Sequence, residues 1–316
     1  MKARNILHLS DVERRVLARP GVIAFVLFLL TLIGVVTGLT HGFDVALVTN
    51  LRYSHPWTDG LLKAIESPGQ RKFVYPAAIF VSIGMSVRRR DLLPTVVTVA
   101  SLVFTNAVTG VFKILVSRGF PRYGGPDAFN YSSVKVSDDG IGHVGKYIST
   151  LGAFPSGHAA NVAAASTLLV LAAYSARPKY RPYANQITII NVVICTVTII
   201  CSWLRDTHWM TDLLAGLALG VSTTIAATLW ALHLPQEWRH PDDAGRLRLM
   251  AFGAGVAAFA CIFMFAASST LINSGSSIVL VVGTLVVVAR QSHKSFQRAN
   301  DSSESDIDVK AQASEQ

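Results

Sequence analysis

The stretch that decides the fold is Pro155 to Ser175, PSGHAANVAAASTLLVLAAYS. A helix-breaking proline, a hydroxyl, a glycine and an imidazole stand at the mouth of an apolar run long enough to read as a membrane helix. The first N–H groups of such a helix have no intrahelical partner and carry the positive end of its dipole, so this entrance suits an anion. It also has a plainer reading as a capped helix start. The neighbouring sequence has to decide between them.

Working outward, the whole chain has the composition of an integral membrane protein: 51% of its 316 residues are hydrophobic and only 15% charged, with a mean hydropathy of +0.43. The formal charge of +9 raises nucleic-acid binding, but the basic residues sit in short clusters between apolar runs, which is the pattern of membrane topology; no nucleic-acid partner is expected. Cys195, Cys201 and Cys261 all lie within apolar runs and read as small buried hydrophobes, not as a disulfide framework or a zinc site.

Hydropathy predicts eight spans: Gly21 to His41, Phe73 to Val87, Leu92 to Val116, Ser156 to Ser175, Ile187 to Leu204, Met210 to His233, Leu249 to Thr270 and Ser276 to Ala289. The fold class is therefore all-α, a polytopic membrane helical bundle. Residues 1–20 form a cytoplasmic N-terminal segment, 21–233 a six-span core, 234–290 two additional spans and 291–316 a disordered cytoplasmic tail. The mixed segment Gly42 to Lys72 is expected to lie along the outer interface. Arg and Lys concentrate at the N-terminus and after spans two, four and six, so the positive-inside rule puts both termini in the cytoplasm. Arg52, Lys63, Arg71 and Lys72 then lie outside and need another explanation.

In that orientation the end of span three, the start of span four, the end of span five and the start of span six meet at the outer membrane face. There the sequence gathers Lys113, Arg118, Arg122, Ser156, Gly157, His158, Arg205, His208 and Asp212. Each has an ordinary explanation: Lys113 can snorkel, His158 can be a satisfied helix-start histidine, and His208 and Asp212 can be an i,i+4 structural pair. Clustered at one face, ionisable residues at membrane depth mark a site. The set suits metal-free phosphoryl transfer. His208 would attack phosphorus while Asp212 holds its other ring nitrogen, and His158 would protonate the departing oxygen and then activate water. Lys113, Arg118, Arg122 and Arg205, with the backbone at Ser156 and Gly157, would neutralise the phosphoryl oxygens. No cofactor is needed.

These residues resemble the motifs of the type-2 phosphatidic acid phosphatase family, membrane lipid phosphatases that share a six-helix core with vanadium haloperoxidases. The family pattern is Lys-x6-Arg-Pro, Pro-Ser-Gly-His and Ser-Arg-x5-His-x3-Asp. Here the first runs from Lys113 to Pro121, the second is intact at Pro155 to His158, and the third runs from Cys201 to Asp212. The resemblance implies His208 as nucleophile, His158 as acid and Asp212 as the residue orienting His208. Two arginine positions depart from the pattern: Phe120 occupies the first and Ser202 the second, with Arg118, Arg122 and Arg205 nearby. They are expected to reach the same anion from shifted positions.

The expected substrate is a lipid phosphate or diphosphate, polyprenyl or glycerophospholipid, held in the bilayer of a bacterial inner membrane with the site facing outward. The rivals are an inactive phosphate-binding relative, a transporter, and a metal hydrolase using His143, His208 and Asp212.

Overall fold

The structure, a computed structural model, describes residues 11–48, 56–66, 70–89, 91–121, 152–174 and 182–234. Among these residues the chain is entirely helical, with no strand. The helices are α1 (Asp11–Val36), α2 (His41–Ala46), α3 (Pro56–Glu66), α4 (Arg71–Arg89), α5 (Leu93–Val116), α6 (Gly157–Tyr174), α7 (Pro182–Leu204) and α8 (Met210–Leu232). Five are long and apolar enough to cross a membrane, namely α1, α5, α6, α7 and α8, and α4 carries the shorter apolar stretch Val74–Ser86. The protein is thus a multi-pass membrane helical bundle. The second expected span corresponds to α4 and is shorter in its apolar part than the rest. The two expected C-terminal spans and the tail lie outside the described residues.

Local chemistry sets the helix ends. Asp91 accepts the Leu93 N–H at 2.9 Å, and Pro94 follows in the first turn of α5, where a missing N–H costs nothing. Ser117 ends α5 in a left-handed conformation, φ 51°, with its N–H on the Lys113 carbonyl. The segment expected to lie along the interface forms α2 and α3. On α3, Trp57, Leu61 and Ile65 are exposed along one face while Glu66 is buried.

α8 is the axis of the bundle and the most enclosed of the spans; it packs against α6, α1 and α5. Its contact with α6 runs through small residues. A Cβ on Gly216 would lie 2.4 Å from the Ser156 carbonyl oxygen, and one on Gly220 would lie 2.2 Å from that of Ala160. In lipid, helices associate through close packing and polar contacts rather than a hydrophobic drive, so this Gly-x-x-x-Gly surface is what lets the two backbones meet. Phe28 and Val35 of α1 fill the other side with Phe154, Ala215 and Leu219. Hydroxyls add cross-links: Thr105 to Thr223 at 2.7 Å joins α5 to α8, and Tyr75 donates to Asn161 at 2.9 Å between α4 and α6.

Gly220→Ala is therefore expected to lower stability by about 1–3 kcal/mol through overpacking. Gly84→Ala, with nothing within 4 Å of the added methyl, is expected to be neutral or slightly stabilising. Thermal melts in detergent of both variants check the contrast.

Candidate active site

The site forms where α5, α6 and α8 begin or end and the α7–α8 link passes between them. The Arg205–Trp209 link is tight: the Asp206 N–H reaches the Trp203 carbonyl at 2.9 Å, and the Thr207 N–H and hydroxyl both donate to the Ser202 carbonyl. Asp206 takes positive φ, 49°, to make this turn. It lays α7 antiparallel to α8 and delivers Arg205 and His208 to the same end of the bundle.

Asp212 is the hub. As the third residue of α8 it accepts the Trp209 N–H at 3.1 Å, closing the helix start, where a carboxylate also meets the favourable end of the dipole. Its Oδ2 lies 3.7 Å from His208 Nδ1, just beyond hydrogen-bond length; the two do not share a helix face as the i,i+4 spacing suggested, because His208 lies in the link ahead of α8 and the turn there brings it over Asp212. Catalytic hydrogen bonds are often this long before substrate binds. The backbone carbonyl of Asp212 accepts the Ser156 N–H at 2.9 Å. That bond joins the start of α6 directly to the start of α8, so the second and third motifs become one surface.

Ser156 caps α6, its Oγ accepting the Ala159 N–H at 3.4 Å. The stem of Lys113 passes Gly157, whose missing Cβ would lie 3.9 Å from Cε, and Nζ donates to the Gly152 carbonyl. His158 has 37% of its side chain exposed, while its Nε2 is buried and lies 3.9 Å from Glu66 Oε1. His208 is enclosed, and the ring of Phe120 stands edge-on to it at 5.3 Å.

The arginines differ from expectation. Arg118 makes no approach to an open anion site: its guanidinium is buried, with Nη2 on Asp44 at 2.7 Å and Nη1 on Asp212 and on Thr211. The reason is the left-handed turn at Ser117, which sends residues 118–120 across the start of α8; there the Trp209 indole donates to the Gly119 carbonyl at 2.8 Å. Arg118 is an anchor for Asp212. Arg205 is also engaged, with Nε on Asp59 at 2.9 Å and Nη1 on Glu66. Arg122 and His143 lie outside the described residues. Among the described residues no three His, Cys, Asp or Glu side chains converge as metal ligands.

Burial, the largest influence, pushes the His208 imidazole below its ordinary value; the charge of Lys113 acts in the same sense, and Asp212 and Glu66 oppose. Burial by itself would raise the Glu66 carboxyl, but His158, the Ser202 hydroxyl and Arg205 outweigh it and hold that carboxyl low. For Arg205 burial acts downward, while Asp59 and Glu66 overcome it and keep the guanidinium charged. A neutral His208 is the nucleophilic form. Because its value is lowered, the neutral form persists below the ordinary histidine range near ~6.5, and it is lost only as pH falls through the lowered value. The acidic limb of kcat/KM assigned to His208 is therefore expected below pH ~6.5, a position that a pH–rate profile measures directly.

Asp44, Asp59 and Glu66 were not legible as site residues, since all three sit in the segment expected to lie along the interface. One signal was there. They are the only carboxylates between Arg14 and Arg90, and each is drawn to a cation of the site.

A profile of the PAP2 superfamily matches residues 94–235. This segment opens in the first turn of α5 and closes just past α8, so it contains both histidines, Asp212, Lys113 and Arg205. The chain is also similar in fold to the crystal structure of a transmembrane PAP2-type phosphatidylglycerolphosphate phosphatase from Bacillus subtilis, with a TM-score of 0.51 and 21% identity, over 66% of this chain and 93% of that one. Among curated proteins no sequence match is found. The carboxylates Asp44, Asp59 and Glu66 lie ahead of the PAP2 segment, on α2 and α3.

Proposed function

We propose that the protein removes phosphate from a lipid phosphate or diphosphate without a metal, through a phosphohistidine on His208. The observation that carries this reading is the bond from the Ser156 N–H to the Asp212 carbonyl, which makes one surface of the helix start bearing His158 and the helix start facing His208. His208 attacks phosphorus, with Asp212 accepting the Nδ1–H and stabilising the imidazolium. His158 protonates the lipid oxygen as it leaves and then takes a proton from water. Lys113, Arg205 and the N–H groups at the start of α6 balance the charge that spreads over the phosphoryl oxygens, and Arg122 is the further cation assigned to them.

The headgroup enters at the membrane interface while its tails remain in lipid, and the positive-inside pattern favours an outward-facing site in a bacterial inner membrane. Polyprenyl diphosphate, phosphatidic acid and phosphatidylglycerol phosphate are the substrate classes to test. Wild type is expected to release phosphate from at least one of them in the presence of EDTA, and His158→Ala to be strongly impaired. Equal release by wild type, His158→Ala and His208→Ala would sink the mechanism.

A second reading, a catalytically impaired protein that binds or transports lipid phosphates, is favoured by one observation: Arg118 and Arg205 are each held between two carboxylates. It requires vanadate or lipid phosphate to bind with no turnover.

A further inference from the structure

Glu66 ends α3 and lies ahead of the PAP2 segment, yet its buried carboxylate reaches into the site. Oε1 accepts the Ser202 hydroxyl at 2.6 Å and stands 3.9 Å from His158 Nε2; Oε2 accepts from Arg205. Ser202 occupies a position where the family pattern has arginine, and Arg205 is the cation displaced about one helical turn from it. A single carboxylate thus takes the hydroxyl at the vacated position and the shifted guanidinium, and also faces the histidine assigned to proton transfer. Asp59, on the same helix, holds Arg205 a second time at 2.9 Å. Among the described residues, other charged or titratable groups around this centre include the Cys201 thiol of α7, which faces both Glu66 and Arg205, Lys113 of α5, which passes beside Gly157, and His208 of the α7–α8 link.

We propose that Glu66 is a positioning residue for the proton-transfer step: its carboxylate holds the His158 imidazole in place and stabilises the positive charge that this ring carries before it acts as an acid. The proposal rests on the phosphatase reading above. In the first half-reaction the His208 nitrogen bonds to phosphorus and the P–O bond to the lipid breaks. The electron pair goes to the lipid oxygen and the proton moves to that oxygen from His158. In the second, the oxygen of water bonds to phosphorus as His158 takes one of its protons, the P–N bond breaks with its electron pair returning to the His208 nitrogen, and phosphate departs. Glu66 remains ionised throughout and touches none of the reacting atoms. It acts by charge, across a distance that a fixed helix end maintains.

The dependence on leaving group separates this role from a structural one. An alkyl oxygen needs a proton to depart, whereas p-nitrophenolate does not. Single-turnover rates of the full-length protein in mixed micelles are to be measured with phosphatidic acid and with p-nitrophenyl phosphate, for wild type, Glu66→Gln and Glu66→Asp. Glu66→Gln is expected to slow release from phosphatidic acid by about 10- to 100-fold while changing the p-nitrophenolate burst by less than about threefold. Glu66→Asp, which keeps the charge, is expected to recover part of the loss. An equal fall with both substrates, or no fall with either, overturns the proposal for Glu66 and leaves the phosphatase reading standing. Wild type inert towards both of these substrates and towards polyprenyl diphosphate and phosphatidylglycerol phosphate as well overturns the two together. If Glu66→Gln does not fold, Glu66→Asp carries the same comparison: a loss biased towards phosphatidic acid supports the proposal, and an unbiased one overturns it.

Discussion

His208→Ala is expected to lower phosphate release by about 10^4-fold or more, the scale on which removal of an enzyme's nucleophile acts. It should also abolish an acid-labile, alkali-stable phosphoryl label on the protein. The geometry makes this side chain hard to replace. Its Nδ1 faces Asp212 Oδ2 at 3.7 Å and Phe120 closes one edge of the ring, so the other nitrogen is left for phosphorus. A water entering the alanine cavity has no comparable hold. His158→Ala should behave differently: the label should still form from a substrate whose leaving group needs no proton, and it should persist because water is no longer activated. Label on His208→Ala at the wild-type level would remove this residue from the mechanism.

Arg118→Ala should be the most destabilising single change in the described residues. It leaves Asp44 and Asp212, both fully buried, without their cation, and breaking a buried ion pair from one side costs about 3–5 kcal/mol. The loss is expected to appear as a lower melting temperature in detergent together with reduced turnover, because Asp212 then loses the partner that fixes its orientation towards His208. Arg118→Lys should recover little: one ammonium cannot span two carboxylates as the guanidinium fork does with Nη1 and Nη2. Thr211 belongs to the same unit, its N–H and hydroxyl both on Asp44, at 3.0 and 2.6 Å. The double variant Asp44→Ala with Arg118→Ala should therefore cost less than the two single losses added together. A stability of Arg118→Ala within about 0.5 kcal/mol of wild type would mean that the anchor carries no load.

The two arginine departures in the motifs take on a physical meaning once these contacts are known. Phe120 does not leave a gap; its ring packs on His208, and the Lys113 ammonium lies 6.0 Å from its centre. Ser202 likewise does not leave a charge missing, because its hydroxyl serves Glu66, which holds Arg205 one turn on. The first substitution gives His208 an apolar wall. The second moves the cation and brings in carboxylates to hold it.

What the sequence by itself determined is whatever depends on neighbours along the chain. Apolar runs of span length give membrane helices. Pro155 to His158 marks a helix entrance, and the short link after Leu204 brings the end of α7 and the start of α8 to the same end of the bundle; that His208 meets Asp212 from this link, and not from a shared helix face, was left to the tertiary structure. Only the tertiary structure decided which charges meet. Arg118 is bound to Asp44, Arg205 to Asp59, and Ser202 to Glu66, across separations of 74, 146 and 136 residues. No local period encodes such pairings. They arise because the close contact of Gly216 and Gly220 with α6 and the packing of α1 on α8 gather polar groups at one end of the bundle, where α2 and α3 bring Asp44, Asp59 and Glu66 against Arg118 and Arg205. In a medium that penalises every unpaired charge, those carboxylates and arginines find each other.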